Sequence, residues 1–392
     1  MPVNHSLEDA DWTKRAGLAA LRRTLGAENI RWVGGAVRDG LLGIPVHDVD
    51  CATVLRPEAV IDRCTNAGIR TVPTGIEHGT ITAVLEDGPV EVTTLRHDVS
   101  TDGRRATIRY AGDWQDDAAR RDFTINALYA HPNTLEIFDY FGGLGDLAAR
   151  RVRFIGDPRQ RIAEDHLRIL RYYRFQARFG AQLDPGAEDA CAQMAAMLKG
   201  LSRERIASEL LALLALPDPH PTIARMHARG VLGVVLPEAC AAHVAALARL
   251  VGAEREQRVA PESLRRLAAL LPPSRDVAET VAARLRLSKA QRARLVTAAE
   301  RSPGDATQMR ALAYRVGTTG AVDRLLLAGH DARPLAKWEP PVFDLKGGEV
   351  VARGVAAGPQ VAKILQAVER RWIAEDFPDA ARLRQILAEE ME

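Results

Sequence analysis

The chain has 392 residues, of which 47% are apolar and 27% are charged, and its formal net charge is +2. This length exceeds the size at which a single hydrophobic core keeps growing, so we expect more than one domain, and the composition excludes disorder over most of the chain. Because the net charge is close to zero, any nucleic-acid partner has to be bound by a local basic patch.

The pattern of the chain changes near residue 150. From about residue 28 to 148, short runs rich in β-branched residues alternate with Gly, Pro and Asp, which predicts a mixed α/β domain. After residue 150, long segments rich in Ala, Leu and Arg carry apolar residues three and four positions apart, which predicts helices. The predicted fold class is therefore α+β, with a mixed α/β head followed by an all-α remainder.

The first strong motif is the run VGGAVRDGLLGIPVHDVDC, which begins at Val33. The residues up to Val33 predict a strand, Gly34 and Gly35 a tight turn, and the next residues a helix. Backbone N–H groups at such a turn can approach a phosphate closely, and Arg38 lies one turn into the helix, where it can bind phosphate oxygens. A Gly-Gly turn taken alone is more often structural.

Two aspartates follow in the next predicted strand. Side chains alternate between the faces of a strand, so Asp48 and Asp50 share one face and Val49 points to the other. Paired carboxylates suit Mg²⁺, which can activate an attacking hydroxyl and neutralise a leaving pyrophosphate. Glu91, on another alternating strand, supplies a third acid. A solvated turn is the alternative for the aspartates, and an ordinary exposed strand residue is the alternative for Glu91.

Arg120, Arg121 and Asp122 directly precede the apolar-periodic segment FTINALY. The two arginines could neutralise the charge of a triphosphate. Asp122 could accept a hydrogen bond from a ribose hydroxyl, and a helix cap is the alternative for this residue. This segment is therefore a second candidate for nucleotide binding.

The segment 162–179, IAEDHLRILRYYRFQARF, predicts one amphipathic helix with a charged side and an apolar side. The charged side comprises Asp165, Arg168, Arg171, Arg174 and Arg178. An acid and an arginine one turn apart present a hydrogen-bond acceptor beside donors. This pattern complements the amino group and the neighbouring ring acceptors of cytosine and adenine, whereas guanine and uracil have a carbonyl in place of that amino group. Asp165 and Arg168 are therefore predicted to read a base, although a charged stripe is usually only a solvated face.

These motifs, in this order and at these spacings, resemble those of the class II CCA-adding enzymes, tRNA nucleotidyltransferases that share a family with bacterial poly(A) polymerases. The matching stretches are VGGAVRDGLLG with HDVD, RRDFTINALY, FDYFGGLGDL and EDHLRILRYYRF. The resemblance implies a polymerase-β-like nucleotidyltransferase head at 1–148, neck helices at 149–215, a helical body at 216–325 and a helical, tRNA-binding tail at 326–392.

The resemblance also implies roles for single residues. Asp48 and Asp50 would bind catalytic Mg²⁺, and Glu91 is a candidate third catalytic carboxylate with a less definite match. Asp165 and Arg168 would read the base of CTP or ATP. The residues that would contact the incoming nucleotide are Gly35, Arg38, Arg121, Asp122, Asp165, Arg168, Arg171 and Arg174.

The function implied by the resemblance is addition of C, C and A to the tRNA 3′ end from CTP and ATP, without a nucleic-acid template and with release of pyrophosphate. Since the Arg/Asp pair accepts adenine in all such enzymes, a poly(A) polymerase or an enzyme that adds only CC or only A is the alternative. An inactive RNA-binding protein with a degenerate head is an alternative from another class. A basic cluster between Arg284 and Arg294 either binds tRNA or is a solvated helix.

The remaining expectations concern partners and location. His-Asp pairs occur at 47–48, within the HDVD motif, and at 97–98 and 330–331, and the last two lie outside a metal-binding context, so no HD-type phosphohydrolase module is expected. Four scattered cysteines without metal-site spacing are typical of reduced thiols. Neither a signal peptide nor an apolar run of about 18 residues is found in the sequence. We therefore expect a cytoplasmic protein without a membrane partner.

Overall fold

The computed structural model describes residues 6–101 and 106–391. The chain forms two compact units, Met1–Val235 and Leu236–Glu392. All the predicted site residues lie in the first unit. The finer division into head, neck, body and tail stays a prediction. None of the helices in the described ranges is long and apolar enough to cross a membrane.

The first unit contains a seven-stranded sheet and a separate two-stranded sheet. The strands are β1 (Ile30–Val33), β2 (Val49–Thr53), β3 (Arg70–Gly75), β4 (Thr80–Leu85), β5 (Gly88–Thr94), β6 (Arg96–Thr101), β7 (Ala106–Tyr110), β8 (Leu128–Ala130) and β9 (Ile137–Asp139). The large sheet has the order β3-β4-β5-β2-β1-β8-β9, and β6 pairs with β7. Only β2 and β5 run parallel among the described neighbours of the large sheet. This parallel pair brings together two strands that are distant in sequence.

The helices of the first unit lie before, between and after these strands in the chain. They are α1 (Ala16–Leu25), α2 (Gly35–Leu41), α3 (Pro57–Asn66), α4 (Trp114–Ala119), α5 (Gly143–Ala148), α6 (Pro158–Glu164), α7 (Arg168–Phe179), α8 (Pro185–Gln193), α9 (Arg203–Leu214), α10 (His220–Ala228) and α11 (Val231–Val235). Asp157 and Ser202 cap α6 and α9 by accepting backbone N–H bonds, as short polar residues do at helix starts. The predicted change from a mixed head to a helical remainder is confirmed.

The prediction of one continuous helix over 162–179 is wrong at its start. Helix α6 ends at Glu164, and Asp165 is extended, with φ −149° and ψ 106°. Its Oδ1 accepts a hydrogen bond from the backbone N–H of Leu167 at 3.1 Å. An aspartate that bonds to nearby backbone competes with helical hydrogen bonding, and α7 therefore begins anew at Arg168.

The second unit is helical throughout its described regular elements. Its helices are α12 (Ala241–Glu256), α13 (Ser263–Ala269), α14 (Arg275–Arg284), α15 (Lys289–Ala299), α16 (Met309–Val316), α17 (Thr318–Leu327), α18 (Gly347–Val351), α19 (Pro359–Ala374) and α20 (Ala380–Glu389). One core cluster gathers Val350, Val368 and Trp372 with other residues of α16 and α18 to α20. Aromatic rings from Tyr314 and Phe377 pack against it.

Part of the predicted basic cluster in this unit is paired within the chain. Arg284 donates from both Nη atoms to Glu238 at 2.6 Å. The Nε of Arg294 donates to the buried carboxylate of Asp323 at 2.8 Å. These two arginines therefore stabilise helix packing and are not simply solvated, and tRNA binding by the cluster stays a prediction.

Candidate active site

The glycine turn between β1 and α2 lies directly against an arginine of the candidate site. Gly34 caps α2 with φ 71° and ψ −122°, a conformation that a residue with a Cβ rarely adopts. A Cβ at this position would lie 3.4 Å from Nη1 of Arg121 and 3.7 Å from the carbonyl oxygen of Asn126. Gly35 is the first residue of α2. The predicted strand, turn and helix are confirmed, and the turn favours glycine because of its positive φ, while a Cβ there would be in van der Waals contact with Arg121.

Arg38 lies inside the protein, below this turn. It is only 4% exposed, its Nε donates to Asp39 at 2.8 Å, and its Nη1 donates to Oδ1 of Asn126 at 2.5 Å. Its guanidinium carbon lies 4.3 Å from the centre of the Phe179 ring. Burial lowers the pKa of Arg38. The structure thus joins α2 to α7 through this arginine, and its predicted contact with phosphate stays a prediction.

The register of β2 and β5 places two acids side by side. Val49 pairs with Val90 and Asp50 pairs with Glu91 in this parallel ladder. The two valines are buried, whereas Asp50 and Glu91 are exposed, so each strand alternates as predicted. Side chains of directly paired residues share a face of the sheet. Glu91 therefore lies on the same face as Asp50, which the pattern of either strand alone could not establish.

Neighbouring charges act on the pKa of Asp50 in opposite directions. Although Asp50 is exposed, partial desolvation of its carboxylate by surrounding protein atoms and then the negative charge of Glu91 raise its pKa, while the positive charge of Arg121 acts in the opposite direction. Asp48, exposed just before β2, adds to the negative charge. Within residues 6–101 and 106–391, no group of three or more His, Cys, Asp or Glu side chains could hold a metal ion alone. The binding of Mg²⁺ by Asp48 and Asp50 therefore stays a prediction.

Arg121 is held on two sides by residues that the sequence analysis did not select. Its Nε donates to the hydroxyl of Tyr129 at 3.1 Å, and its Nη2 donates to Asp117 at 3.3 Å. The Tyr129 hydroxyl in turn donates to Asp117 at 2.7 Å. Burial acts to raise the pKa of Asp117, but Arg121 and Arg120 outweigh it and lower this pKa to about 2. The spacing of Asp117 and Arg121, four residues apart, is a sequence signal for such a pair.

Asp122 is a buried anchor between the head and α7. Its Oδ2 accepts bonds from Nε and Nη2 of Arg171 at 2.8 and 2.6 Å, and its Oδ1 accepts from Asn126 at 2.9 Å. Burial opposes ionisation, yet Arg171 and Asn126 lower the pKa of Asp122 overall. Because both oxygens are engaged, the structure gives this residue a positioning role, and its predicted ribose contact stays a prediction.

The two residues predicted to read the base are bonded to other partners. Oδ2 of Asp165 accepts from Arg205 at 2.6 Å, and Nη1 of Arg168 donates to Glu164 at 2.6 Å. Nη2 of Arg168 also donates to the carbonyl of Arg120 at 3.3 Å. The start of α7 is thereby joined to the Arg-Arg-Asp segment of the head. Arg205 and Glu164 were not selected from the sequence, because their pattern resembles an ordinary charged helix face.

Arg171 and Arg174 connect α7 to α9 through one carboxylate. The Nε of Arg174 donates to Glu209 at 2.6 Å, and Nη1 of Arg171 lies 3.7 Å from the same side chain. The two arginines lie on the same side of α7 as predicted, one turn apart. Glu209, which the sequence analysis also missed, therefore fixes the side of the candidate site formed by α7.

Comparisons with known proteins match these elements. Residues 30–153 match the poly A polymerase head domain, and residues 180–242 match a probable RNA and SrmB-binding site of polymerase A. CCA tRNA nucleotidyltransferase 1, mitochondrial, of Mus musculus is 35% identical over 387 residues, which cover 91% of this chain and 86% of the relative. The CCA-adding enzyme of Limosilactobacillus fermentum is 40% identical over 185 residues, or 47% of this chain and 45% of the relative.

Among solved structures, the Bacillus stearothermophilus CCA-adding enzyme in complex with CTP is similar to nearly the whole chain. It superposes with a TM-score of 0.75 at 26% sequence identity and covers 92% of each chain. The similarity therefore includes the helices as well as the sheet.

Proposed function

Because this chain belongs to the family of CCA-adding tRNA nucleotidyltransferases, we propose that it adds C, C and A to the 3′ end of tRNA. CTP and ATP supply the nucleotides, no nucleic-acid template is used, and pyrophosphate is released. The observation that carries this proposal is the bond from Arg168 to the carbonyl of Arg120. This bond joins the start of α7 to the Arg120–Asp122 segment, which supports a site in which one part binds the base and another part binds the phosphates.

The acidic face of the sheet fits Mg²⁺. Asp48 and Asp50 would hold the ion, and Glu91 is the further oxygen donor beside Asp50. The raised pKa of Asp50, caused by partial desolvation and by neighbouring carboxylates, supports a site that favours an added cation. When bound, Mg²⁺ would polarise phosphate oxygens and favour the ionised form of the attacking hydroxyl. Arg121 contributes a fixed positive charge near the same acids.

Asp165 and Arg168 supply the selection of the base. The carboxylate of Asp165 would accept from the amino group of cytosine or adenine, and Arg168 would donate to the adjacent ring acceptors. Guanine and uracil present a carbonyl where Asp165 needs a donor, which costs about 1–3 kcal/mol in a desolvated site. In the structure these side chains bond to Arg205 and Glu164, so binding of a base requires an exchange of partners.

The reaction is a transfer of a nucleotidyl group. The 3′ oxygen of tRNA forms a bond to the α-phosphorus while the bond to pyrophosphate breaks, and the proton of the hydroxyl leaves to solvent. Positioning and neutralisation of charge do most of the catalysis in such transfers. Asp122 and Arg171 contribute by holding α7 against the head, because their bonds are 2.8 Å or shorter.

An extension assay with the purified chain tests the proposal. Substrates are tRNA that ends at the discriminator, in C or in CC, each with CTP alone, ATP alone or both. We expect two C on the bare end with CTP alone, and one A on the CC end with ATP. If CTP is never incorporated, CCA addition is excluded, and long runs of A would identify a poly(A) polymerase. The double variant Asp48→Ala/Asp50→Ala should lose incorporation and keep tRNA binding.

The domain division, the cellular location and the lack of an HD-type module stay proposals. We propose that the four-part division at residues 148, 215 and 325 holds and that the tail contributes to tRNA binding. All four cysteines are free thiols, which supports a reducing compartment. The mouse relative is mitochondrial by name, so the cytoplasmic location of this chain stays a prediction. The same holds for the expected lack of an HD-type phosphohydrolase module.

A further inference from the structure

The guanidinium of Arg121 has one edge left for a ligand. Nε and Nη2 donate to Tyr129 and Asp117, whereas Nη1 has no hydrogen-bond partner among the described residues. This atom lies near the β1–α2 turn, 3.4 Å from where a Cβ on Gly34 would be. The side chain is 18% exposed. The open edge therefore faces the turn at which a triphosphate is expected.

We propose that Asp117 and Tyr129 are positioning residues that hold Arg121 with this edge toward the phosphates of the incoming nucleotide. The inference rests on the proposed function, since it assigns how one of the nucleotide contacts is set. We name these two side chains the Asp117–Tyr129 clamp. Neither of them touches the substrate in this proposal.

A clamp has a physical purpose at this position. An arginine side chain loses up to about 2 kcal/mol of rotamer entropy when it is ordered, and Arg121 interacts with the acid Asp50 closely enough to affect its pKa. An unrestrained guanidinium could pair with Asp50 and compete with a cation for that carboxylate. Asp117, which is 1% exposed, provides another carboxylate partner, to which Nη2 of Arg121 donates at 3.3 Å.

Both members of the clamp are themselves fixed. Tyr129 lies on β8 and pairs directly with Val33, the last residue of β1 before the glycine turn. Its hydroxyl accepts from Arg121 and donates to Asp117, so one group orients both partners. Asp117 also accepts from Nε of Arg120 at 2.8 Å and from the backbone N–H of Arg96 at 3.3 Å. Every oxygen of the buried carboxylate thus has donors.

Tyr129→Phe removes one hydroxyl and tests the clamp, with Tyr140→Phe as the matched control. The Tyr140 hydroxyl accepts from Arg31 at 2.6 Å, and its ring lies 6.0 Å from that of Tyr129, but no described contact joins it to Arg121. We expect Tyr129→Phe to lower kcat/KM for ATP on tRNA ending in CC, and for CTP on the bare end, by about tenfold. Binding of tRNA should be unchanged. Tyr140→Phe should match the wild type.

A double-mutant cycle separates positioning from a general structural effect. In an Arg121→Met background, Tyr129→Phe should change kcat/KM by less than about twofold, because the residue through which it acts is gone. Asp117→Asn in the same cycle tests the other member and decides the question if Tyr129→Phe fails to fold. If Tyr129→Phe lowers kcat/KM by the same factor with and without Arg121, or if the Tyr129→Phe enzyme has the kcat/KM of the wild type, the inference is overturned. A wild-type chain without nucleotide incorporation overturns the proposed function instead.

Discussion

Two aspartates in the candidate site have pKa values that move in opposite directions. Asp50, beside Glu91, has a raised pKa because partial desolvation of its carboxylate and the like charge of Glu91 disfavour its ionised form. Asp117, beside Arg121 and Arg120, has a pKa lowered to about 2 although burial opposes this. Such divergence assigns different tasks to the same residue type. Asp50 suits the binding of a cation, and Asp117 suits a permanently ionised anchor.

At this scale, Glu91→Gln tests whether the acid on β5 takes part in catalysis. The change removes one negative charge beside Asp50 and keeps the shape, so we expect kcat to fall by roughly 10- to 100-fold at saturating nucleotide through weaker binding of the metal. Higher Mg²⁺ should restore part of the rate. Glu86→Gln, at the exposed turn between β4 and β5, is the control. Equal kcat values for the two variants would show that Glu91 is an ordinary exposed strand residue without a role in catalysis.

The β1–α2 junction is the element that relates the sheet to the site. Its helix is preceded by the cap residue Gly34, which has a φ of 71°, and the first turn of the helix brings Arg38 below the surface. On the opposite side of the candidate site, the break at Asp165 frees this carboxylate from the helix and directs it to Arg205. Both irregular junctions are thus places where backbone geometry presents a functional side chain.

Gly34→Ala tests the junction, with Gly43→Ala as control. Both glycines have positive φ, 71° and 65°, so alanine strains the backbone at either position by about 1–3 kcal/mol. Only at Gly34 would the new Cβ meet Arg121, since nothing lies within 4 Å of the corresponding Cβ at Gly43. We expect at least a tenfold loss of kcat/KM for Gly34→Ala and little loss for Gly43→Ala. If the two variants lose kcat/KM to a similar extent, backbone strain alone explains the loss.

At the scale of the whole molecule, the chain divides into two compact units, and we expect them to have different tasks. The candidate active site lies in residues before Val235, while the cluster around Trp372 is built from residues of the second unit. Trp372 is 3% exposed and donates from its indole to the carbonyl of Pro378 at 2.9 Å. A unit with its own core can unfold while another stays folded.

Trp372→Ala should therefore impair the second unit selectively. The lost packing costs about 3–5 kcal/mol. We expect an earlier thermal transition and weaker tRNA binding, with ATP affinity within about twofold of the wild type. Calorimetry and equilibrium titration with ATP and tRNA measure these quantities, and Val342→Ala, at a residue that is 85% exposed, is the control. Loss of ATP binding in Trp372→Ala would contradict the separation of tasks.

The sequence by itself determined the local features of the protein. Periodicity predicted the mixed head and the helical remainder, and alternation predicted that Val49 is buried and Asp50 exposed, because these properties depend on neighbours along the chain. The spacing of the motifs identified the family. Glycine at position 34 could likewise be recognised, because a turn from strand to helix at a phosphate site favours it.

Only the tertiary structure decided which distant residues meet. The register of β2 and β5 placed Glu91 beside Asp50, and the sheet brought Tyr129 to Arg121. The break at Asp165 depends on a local hydrogen bond that helical periodicity does not encode. Pairings of this kind arise from strand order, side-chain rotamers and competition between partners. They are properties of the folded chain, and a single sequence pattern does not contain them.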